Sequence, residues 1–335
     1  MGPCCAGAGL GTGPLGLLRL LRLHRNLLPE CIQYGMGIAW VFPGQGSQKL
    51  GIAAAVLDLP EAPERFAQAS ALLGRDLLAI CAGEAGEGTV AQPTDLNDTR
   101  NTQPALFVIE SLLVDGLRAQ GRTASLVAGH SLGELVALYA AGVFDAATGL
   151  GLIKTRSELM AAAGGGAMTA VMGFERAELD DLVAATEGVV VANDNSSAQV
   201  VLSGTPEAVA EVAGRLHCKR AIPLAVSGAF HSPFMAEAAA AFSAALEAVP
   251  FADAAIPVLS NTDPTPETAG AALKARLRHQ MTTGVRWRET MERFSADGIG
   301  TAVEIGPGNV LSGLIKRSCE GIGTAQVGNA ADLAL

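Results

Sequence analysis

The stretch Ser125–Ala137, SLVAGHSLGELVA, decides how the chain is read. Leu126, Val127 and Ala128 form a short apolar run of the kind that buried strands carry. Gly129 and Gly133 bracket Ser131 in the pattern G-x-S-x-G, and Leu132 to Ala141 continues with helical spacing. Strand, sharp turn and helix in that order form a nucleophile elbow, with the serine at the strained tip of the turn. The glycines suit that geometry because a Cβ at either position would meet the neighbouring strand or helix. The serine oxygen then lies at a helix N-terminus, where the dipole and the N–H of the next residue can hold an oxyanion. The plainer alternative is a glycine-rich βα turn with an incidental serine.

On either side of the elbow, strands and helices alternate. Ile38–Phe42, IAWVF, reads as a buried strand that runs into PGQGSQ, Pro43–Gln48, and then a helix. Gly44 and Gly46 allow a tight turn and leave amide groups free, for a phosphate nest or for half of an oxyanion hole with the Gln45 N–H as donor. The Lys and Ser/Thr order of a P-loop is missing. Thr102–Gln120 has the spacing of an amphipathic helix, with Leu106, Ile109, Leu112 or Leu113 and Leu117 on one face and Gly121 as its stop. Asp145–Ala162 reads as another helix carrying Arg156, either a solvated charge or a guanidinium fork for a carboxylate.

Residues 164–226 change character. After Gly164-Gly165-Gly166, read as a hinge, come the strand Ala167–Phe174 and the helix Glu175–Thr186. The strands Val189–Asp194 and Ala198–Gly204, the helix Pro206–Leu216 and the strand Lys219–Val226 follow. The order β-α-β-β-α-β is that of a ferredoxin-like unit. It reads as an insertion into a larger α/β domain made of residues 36–163 and 227–335. In the resumed part, His231 sits on a loop before a helix at Met235–Ala248, as a solvated residue or as a general base for Ser131. A strand at Ile256–Ser260, helices at Ala269–Gln280 and Trp287–Ala296, a strand at Thr301–Ile305 and a helix at Val310–Lys316 follow. The expected fold class is α/β, a hydrolase-like doubly wound sheet with a parallel core and an inserted ferredoxin-like subdomain.

Composition narrows the function classes. Of 335 residues 49% are hydrophobic, yet no apolar run reaches the ~18 residues of a membrane span. A net charge of −10 and 4% aromatic content argue against nucleic-acid binding. The six cysteines form no C-x-x-C pair and no zinc-ligand spacing, so reduced thiols, no metal and a cytoplasmic protein are expected. Residues 1–35 differ from the rest, with Arg19, Arg22 and Arg25 and no acid before Glu30. Translation from Met36, with an artefactual or disordered segment upstream, is the expected reading. A transit peptide, which would place the protein in a plastid, is the other.

Five blocks together resemble one family: FPGQGSQ (Phe42–Gln48), GHSLGE (Gly129–Glu134), KTRSELM (Lys154–Met160), AFHSPFM (Ala229–Met235) and EIGPGNVLSGLIKR (Glu304–Arg317). They are similar to malonyl-CoA:acyl carrier protein transacylase of type II fatty acid synthesis. The likeness runs from Met36 to Val327 in the family's order and spacing. It implies a ping-pong transfer of malonyl from malonyl-CoA to the phosphopantetheine thiol of an acyl carrier protein, without a cofactor and in a monomer. By the resemblance Ser131 is the nucleophile, His231 the base and Arg156 the ligand of the malonyl carboxylate. Gln45 and Leu132 give the oxyanion N–H groups, and Gln280 orients the histidine. Phe230 resembles the malonyl-selecting version of its block. The sequence TTGVRW after Gln280 departs from the family pattern, and the extension 1–35 is foreign to it. An acidic carrier protein calls for a basic patch, expected among the six Lys/Arg between Thr268 and Arg293 and at Lys316 and Arg317. One rival is a serine esterase or thioesterase, which needs an acid partner for His231, and Asp145, Asp180 and Asp194 are its candidates; the other is a non-catalytic carrier-protein or CoA binder.

Overall fold

A computed structural model describes residues 36–226 and 228–334, so the extension read as residues 1–35 lies outside the described residues. Among the described residues nine strands are found, β1 (Gly37–Phe42), β2 (Leu126–Gly129), β3 (Ala167–Phe174), β4 (Val189–Ser196), β5 (Gln199–Gly204), β6 (Cys218–Pro223), β7 (Val258–Leu259), β8 (Ile299–Ile305) and β9 (Gly323–Val327). They form two sheets. One is five-stranded, in the order β7-β2-β1-β8-β9, with every pairing parallel. The other is four-stranded, in the order β4-β5-β3-β6, with every pairing antiparallel.

The parallel sheet is buried on both faces, which is why its strands read as continuous apolar runs. Ala39, Val41, Leu126 and Ala128 pack on one side with Trp287 and Phe294; Trp40, Phe42 and Val127 pack on the other with the helix Thr99–Ala119. Being parallel, all five strands end at the same edge, where ligands collect in parallel α/β sheets. The antiparallel sheet keeps a smaller core of its own, with Val171, Val200 and Leu202 against Leu179, Val209 and Val212 of its two helices. Its strand sequence, second-third-first-fourth, is the ferredoxin-like arrangement.

Several expectations need correction. No long helix follows PGQGSQ; a single 3-10 turn at Ile52–Ala55 precedes the helix Ala62–Leu73, because Gly51 at φ 82° breaks the chain's direction. The helix Thr99–Ala119 starts a turn early, capped by the Asp98 carboxylate, and tolerates Pro104 inside its first two turns. It is not one-sided: polar Asn101, Thr102, Gln103, Glu110 and Ser111 are buried with its leucines. Within the glycine triplet only Gly166 is closely packed, since a Cβ there would lie 2.3 Å from the Ala229 nitrogen; Gly165 at φ 87° is exposed with open space around it. Strand β9, GTAQV, escaped the reading because it is a short sheet edge with one buried residue.

The TTGVRW departure also acquires a structural role. Val285 exchanges backbone hydrogen bonds with β4, from its N–H to Ala192 O at 2.8 Å and from Asp194 N–H to its carbonyl at 2.9 Å. The segment thus extends the antiparallel sheet and ties it to the parallel one. A Cβ on Gly284 would sit 2.7 Å from Val191 O, so only glycine permits this approach.

Candidate active site

The elbow is built by close packing. A Cβ on Gly129 would fall 1.9 Å from the Gly133 carbonyl, and one on Gly133 would fall 2.2 Å from Phe42 O. The turn between them forces Ser131 into the left-handed region at φ 55°. Among the described residues only one other non-glycine residue has positive φ, His231 at 56°. Such backbone costs of order 1–3 kcal/mol each and persists only where its surroundings over-determine it.

Those surroundings are hydrogen bonds. Asn261, just past β7, grips the elbow from both sides: its Oδ1 accepts from the Ser131 N–H at 2.8 Å and its Nδ2 donates to Gly129 O at 2.6 Å. Glu134, buried in the first turn after the elbow, accepts from the Asn261 N–H at 3.1 Å and from Gln280 Nε2 at 2.8 Å. Gln280 Nε2 also donates to Ser131 O at 2.8 Å. Burial lifts the Glu134 carboxyl above the usual range, and these donors together with the charge of Arg156 oppose the lift.

The structure brings Ser131, His231, Arg156 and Gln280 together. Ser131 Oγ lies 2.7 Å from His231 Nε2 and 3.1 Å from Arg156 Nη2. His231 Nδ1 faces the backbone carbonyl of Gln280 at 2.9 Å. That contact assigns the proton to Nδ1 and leaves Nε2 as the acceptor for the serine hydroxyl. The orienting group is thus a carbonyl and not one of the aspartates an esterase triad would need. Burial, reinforced by the Arg156 charge, pushes the His231 imidazole down to about 3, so it is neutral at physiological pH.

Arg156 is fully buried on the helix Ala146–Ala162. Its Nε and Nη2 donate to Gln280 Oε1 at 3.2 and 2.9 Å, and its Nη1 donates to Gln103 Oε1 at 2.7 Å. With the contact to Ser131, four donations are made by a group that has five N–H donors, and every protein acceptor is neutral. A buried cation with no anion in direct contact is costly, and burial, only partly opposed by the Glu134 carboxyl, pulls its affinity for a proton down to about 10. The guanidinium nonetheless stays charged at neutral pH.

Gln45 and Leu132 line the same pocket as Ser131, with Phe230, Met160, Met168 and Asn193 on its walls. Its volume is about 90 Å³, the size of a short acyl group rather than a long chain. Among the described residues neither the Gln45 N–H nor the Leu132 N–H donates a hydrogen bond, which leaves both amides free. His130, whose N–H is held by Phe42 O at 2.9 Å, reaches across to Asn195 Oδ1 on β4 at 2.8 Å. A wider cavity of about 530 Å³, lined by Gln45, Asp95, Asn97, Thr99, Arg100 and Phe230 among others, adjoins the pocket.

Reading the sequence did not find Asn261, Gln103 or Asn195. Position was the available signal for Asn261, which follows directly on an apolar strand at the edge where parallel sheets bind ligands. The basic stretch proves different from its composition. Arg276 pairs with Asp263, Arg278 with Glu247, Arg286 with Glu289, Arg288 with Asp194 and Glu292, and Arg293 with Asp297. Among the described residues Lys316 and Arg317 enter no ion pair within 4.0 Å; they line a separate cleft of about 540 Å³ with Gln199 and Gln326.

Comparisons with known proteins show the family. A family profile described as "Acyl transferase domain" matches residues 39–332. The malonyl CoA-acyl carrier protein transacylase of Synechocystis is 48% identical over 298 residues, covering 89% of this chain and 99% of that protein. The enzyme of the same name from Bacillus subtilis is 38% identical over 292 residues, covering 84% of this chain and 90% of its own. The crystal structure of the Synechocystis transacylase superposes with a TM-score of 0.84 over 89% of this chain and 99% of that one. A malonyl-transacylase in complex with its type II polyketide synthase acyl-carrier protein, 37% identical, gives 0.81 over 89% and 98%. The chain belongs to the malonyl CoA-acyl carrier protein transacylase family of acyltransferases.

Proposed function

We propose that this acyltransferase moves a malonyl group from malonyl-CoA to the phosphopantetheine thiol of an acyl carrier protein through a malonyl-Ser131 intermediate, and that it supplies fatty acid synthesis. The observation that carries the reading is the double contact of one hydroxyl: Ser131 Oγ touches a neutral imidazole on one side and a buried guanidinium on the other.

In the first half-reaction His231 Nε2 takes the hydroxyl proton as Ser131 Oγ attacks the thioester carbon. The tetrahedral oxyanion forms between the free N–H groups of Gln45 and Leu132, and losing one such donor typically costs about 10²–10³ in rate. Collapse breaks the C–S bond, and the CoA sulfur leaves with the proton from His231. The second half-reaction reverses these steps: His231 deprotonates the carrier thiol, which attacks the malonyl-serine and releases the hydroxyl. Arg156 exchanges its contact with Ser131 Oγ for the substrate carboxylate. A monocarboxylic thioester would leave the buried guanidinium without an anion, and that difference selects the diacid. Phe230 narrows the space around the α-carbon.

The carrier protein is acidic by class, and the unpaired Lys316 and Arg317 offer it a docking face. Incubation with malonyl-CoA followed by intact-mass measurement tests the reading. A malonyl adduct should form and disappear on addition of holo carrier protein. Ser131→Ala should abolish the adduct, and an adduct that persists in that variant removes Ser131 from the role.

A further inference from the structure

The expected oxyanion donor at Gln45 is a backbone N–H on a loop with glycine on both sides, one of them at φ 108°. A donor in such a loop can act only if something fixes its peptide plane. The Gln45 side chain supplies the fixing point. Its Oε1 accepts from the hydroxyl of Thr99 at 2.7 Å. Thr99 is the first residue of the long helix, buried at 6% exposure, and sits one residue after the Asp98 cap.

The same hydroxyl accepts from Gln103 Nε2 at 3.1 Å, one helical turn on. Gln103 Oε1 in turn accepts from Arg156 Nη1 at 2.7 Å. Read in the donor direction, the chain runs from the Arg156 guanidinium to the Gln103 amide, to the Thr99 hydroxyl, to the Gln45 amide. Every link donates one way, so each bond polarises the next, and the series begins at a charge. Asn97, two residues earlier on the same segment, receives Gln48 Nε2 at 3.0 Å and holds the far end of the loop.

The geometry points to Thr99 as a positioning residue that couples the carboxylate-binding cation to the oxyanion donor. Resting on the malonyl-transfer reading above, this makes recognition of the distal carboxylate act on the rate of acylation and not only on binding. Neither Thr99 nor the Gln45 side chain needs to touch substrate.

Single-turnover acylation by malonyl-CoA, followed by intact mass, tests it in three variants. Thr99→Val removes the hydroxyl at nearly constant shape, and should lower the acylation rate about tenfold while the half-saturating malonyl-CoA concentration moves less than about threefold. Thr99→Ser should return the rate to within about threefold of the parent, because the hydroxyl is restored. Gln45→Met keeps the backbone donor and loses the side-chain acceptor; it should reproduce the loss, and it serves even where Thr99→Val fails to fold. In an Arg156→Ala background the effect of Thr99→Val should shrink by at least about threefold, as linked sites do. A parent-like rate for Gln45→Met, a Thr99→Ser rate as low as that of the valine variant, or an undiminished Thr99→Val effect beside Arg156→Ala overturns the coupling. A parent protein that forms no malonyl adduct defeats the functional reading itself, which keeps the two failures apart.

Discussion

The parallel and antiparallel sheets meet at one crevice but bring different things to it. From the carboxyl ends of β1, β2 and β7 come Gln45, Ser131 with Leu132, and Asn261. The antiparallel sheet supplies Met168 and Asn193 as wall and Asn195 as a partner for His130, and no side chain that touches the Ser131 hydroxyl. Parallel strands ending together project several loops toward one point while their backbones stay locked in a two-sided core. The antiparallel sheet, with one face in its own core, turns Met168, Ala170, Ala192 and Val201 of its other face into the main core and so offers a wall and not converging loops. The difference teaches where precision resides: among the described residues the two non-glycine residues with positive φ, Ser131 and His231, both lie outside the antiparallel sheet.

The contrast can be broken or sharpened by experiment. The largest effect is expected at Arg156, whose guanidinium belongs to the catalytic side. Arg156→Ala should lower malonyl transfer by about 10³ while raising acetyl transfer relative to malonyl. Measured kcat/KM for both thioesters checks this, and an unchanged preference would remove the carboxylate clamp.

The next test is pH. His231 acts as a base only when neutral, and burial with the Arg156 charge pushes its proton affinity down to about 3. A histidine with the ordinary value near 6.5 would lose roughly tenfold in rate on going from about pH 7.5 to about pH 5.5. Acylation of this enzyme should stay flat over that range. Arg156→Ala removes one of the causes and should move the acid limb upward toward 6.5. The same depression has a stability consequence. Below about pH 6.5 the unfolded chain binds a proton that folded His231 refuses, so stability is full above that pH and falls as pH falls.

At the proposed carrier face, Lys316→Glu with Arg317→Glu should raise the carrier-protein KM about tenfold and leave the CoA half-reaction alone. An unchanged KM would move docking away from the cleft beside Gln199. The smallest effect is expected on the wall. Asn195→Ala removes the partner of His130 and should cost about 1 kcal/mol of stability and less than about threefold in acylation, read by thermal unfolding and single-turnover rates. A loss as large as that of Arg156→Ala would mean that the antiparallel sheet takes part in the chemistry.

Much of the fold was legible because its signals are local. Apolar runs marked β1, β2 and β3, and the alternation of strands with helices marked the class. Strand β9 was not legible, because a five-residue edge with polar side chains carries neither periodicity nor an apolar run. The site divided in the same way. Gly129, Ser131 and Gly133 announce an elbow by spacing alone. Gln103 announces nothing and Asn261 only its place after an apolar strand, since an amide side chain has no spacing rule and gains its role only from what folding sets opposite it. The basic stretch misled for the same reason: Asp263, Glu247 and Asp194, which neutralise it, stand elsewhere in the chain.

By itself the sequence determined the strand-turn-helix at Ser131, the α/β class and the residue types the chemistry requires. These follow from steric and periodic rules that act over a few residues. Only the tertiary structure decided that His231 leans on a backbone carbonyl, that Arg156 lies fully buried among neutral amides, and that a hydroxyl on a distant helix holds the Gln45 loop. Those outcomes depend on which groups meet after some hundred residues of chain have been brought back, and on the removal of water around them, which no local pattern records.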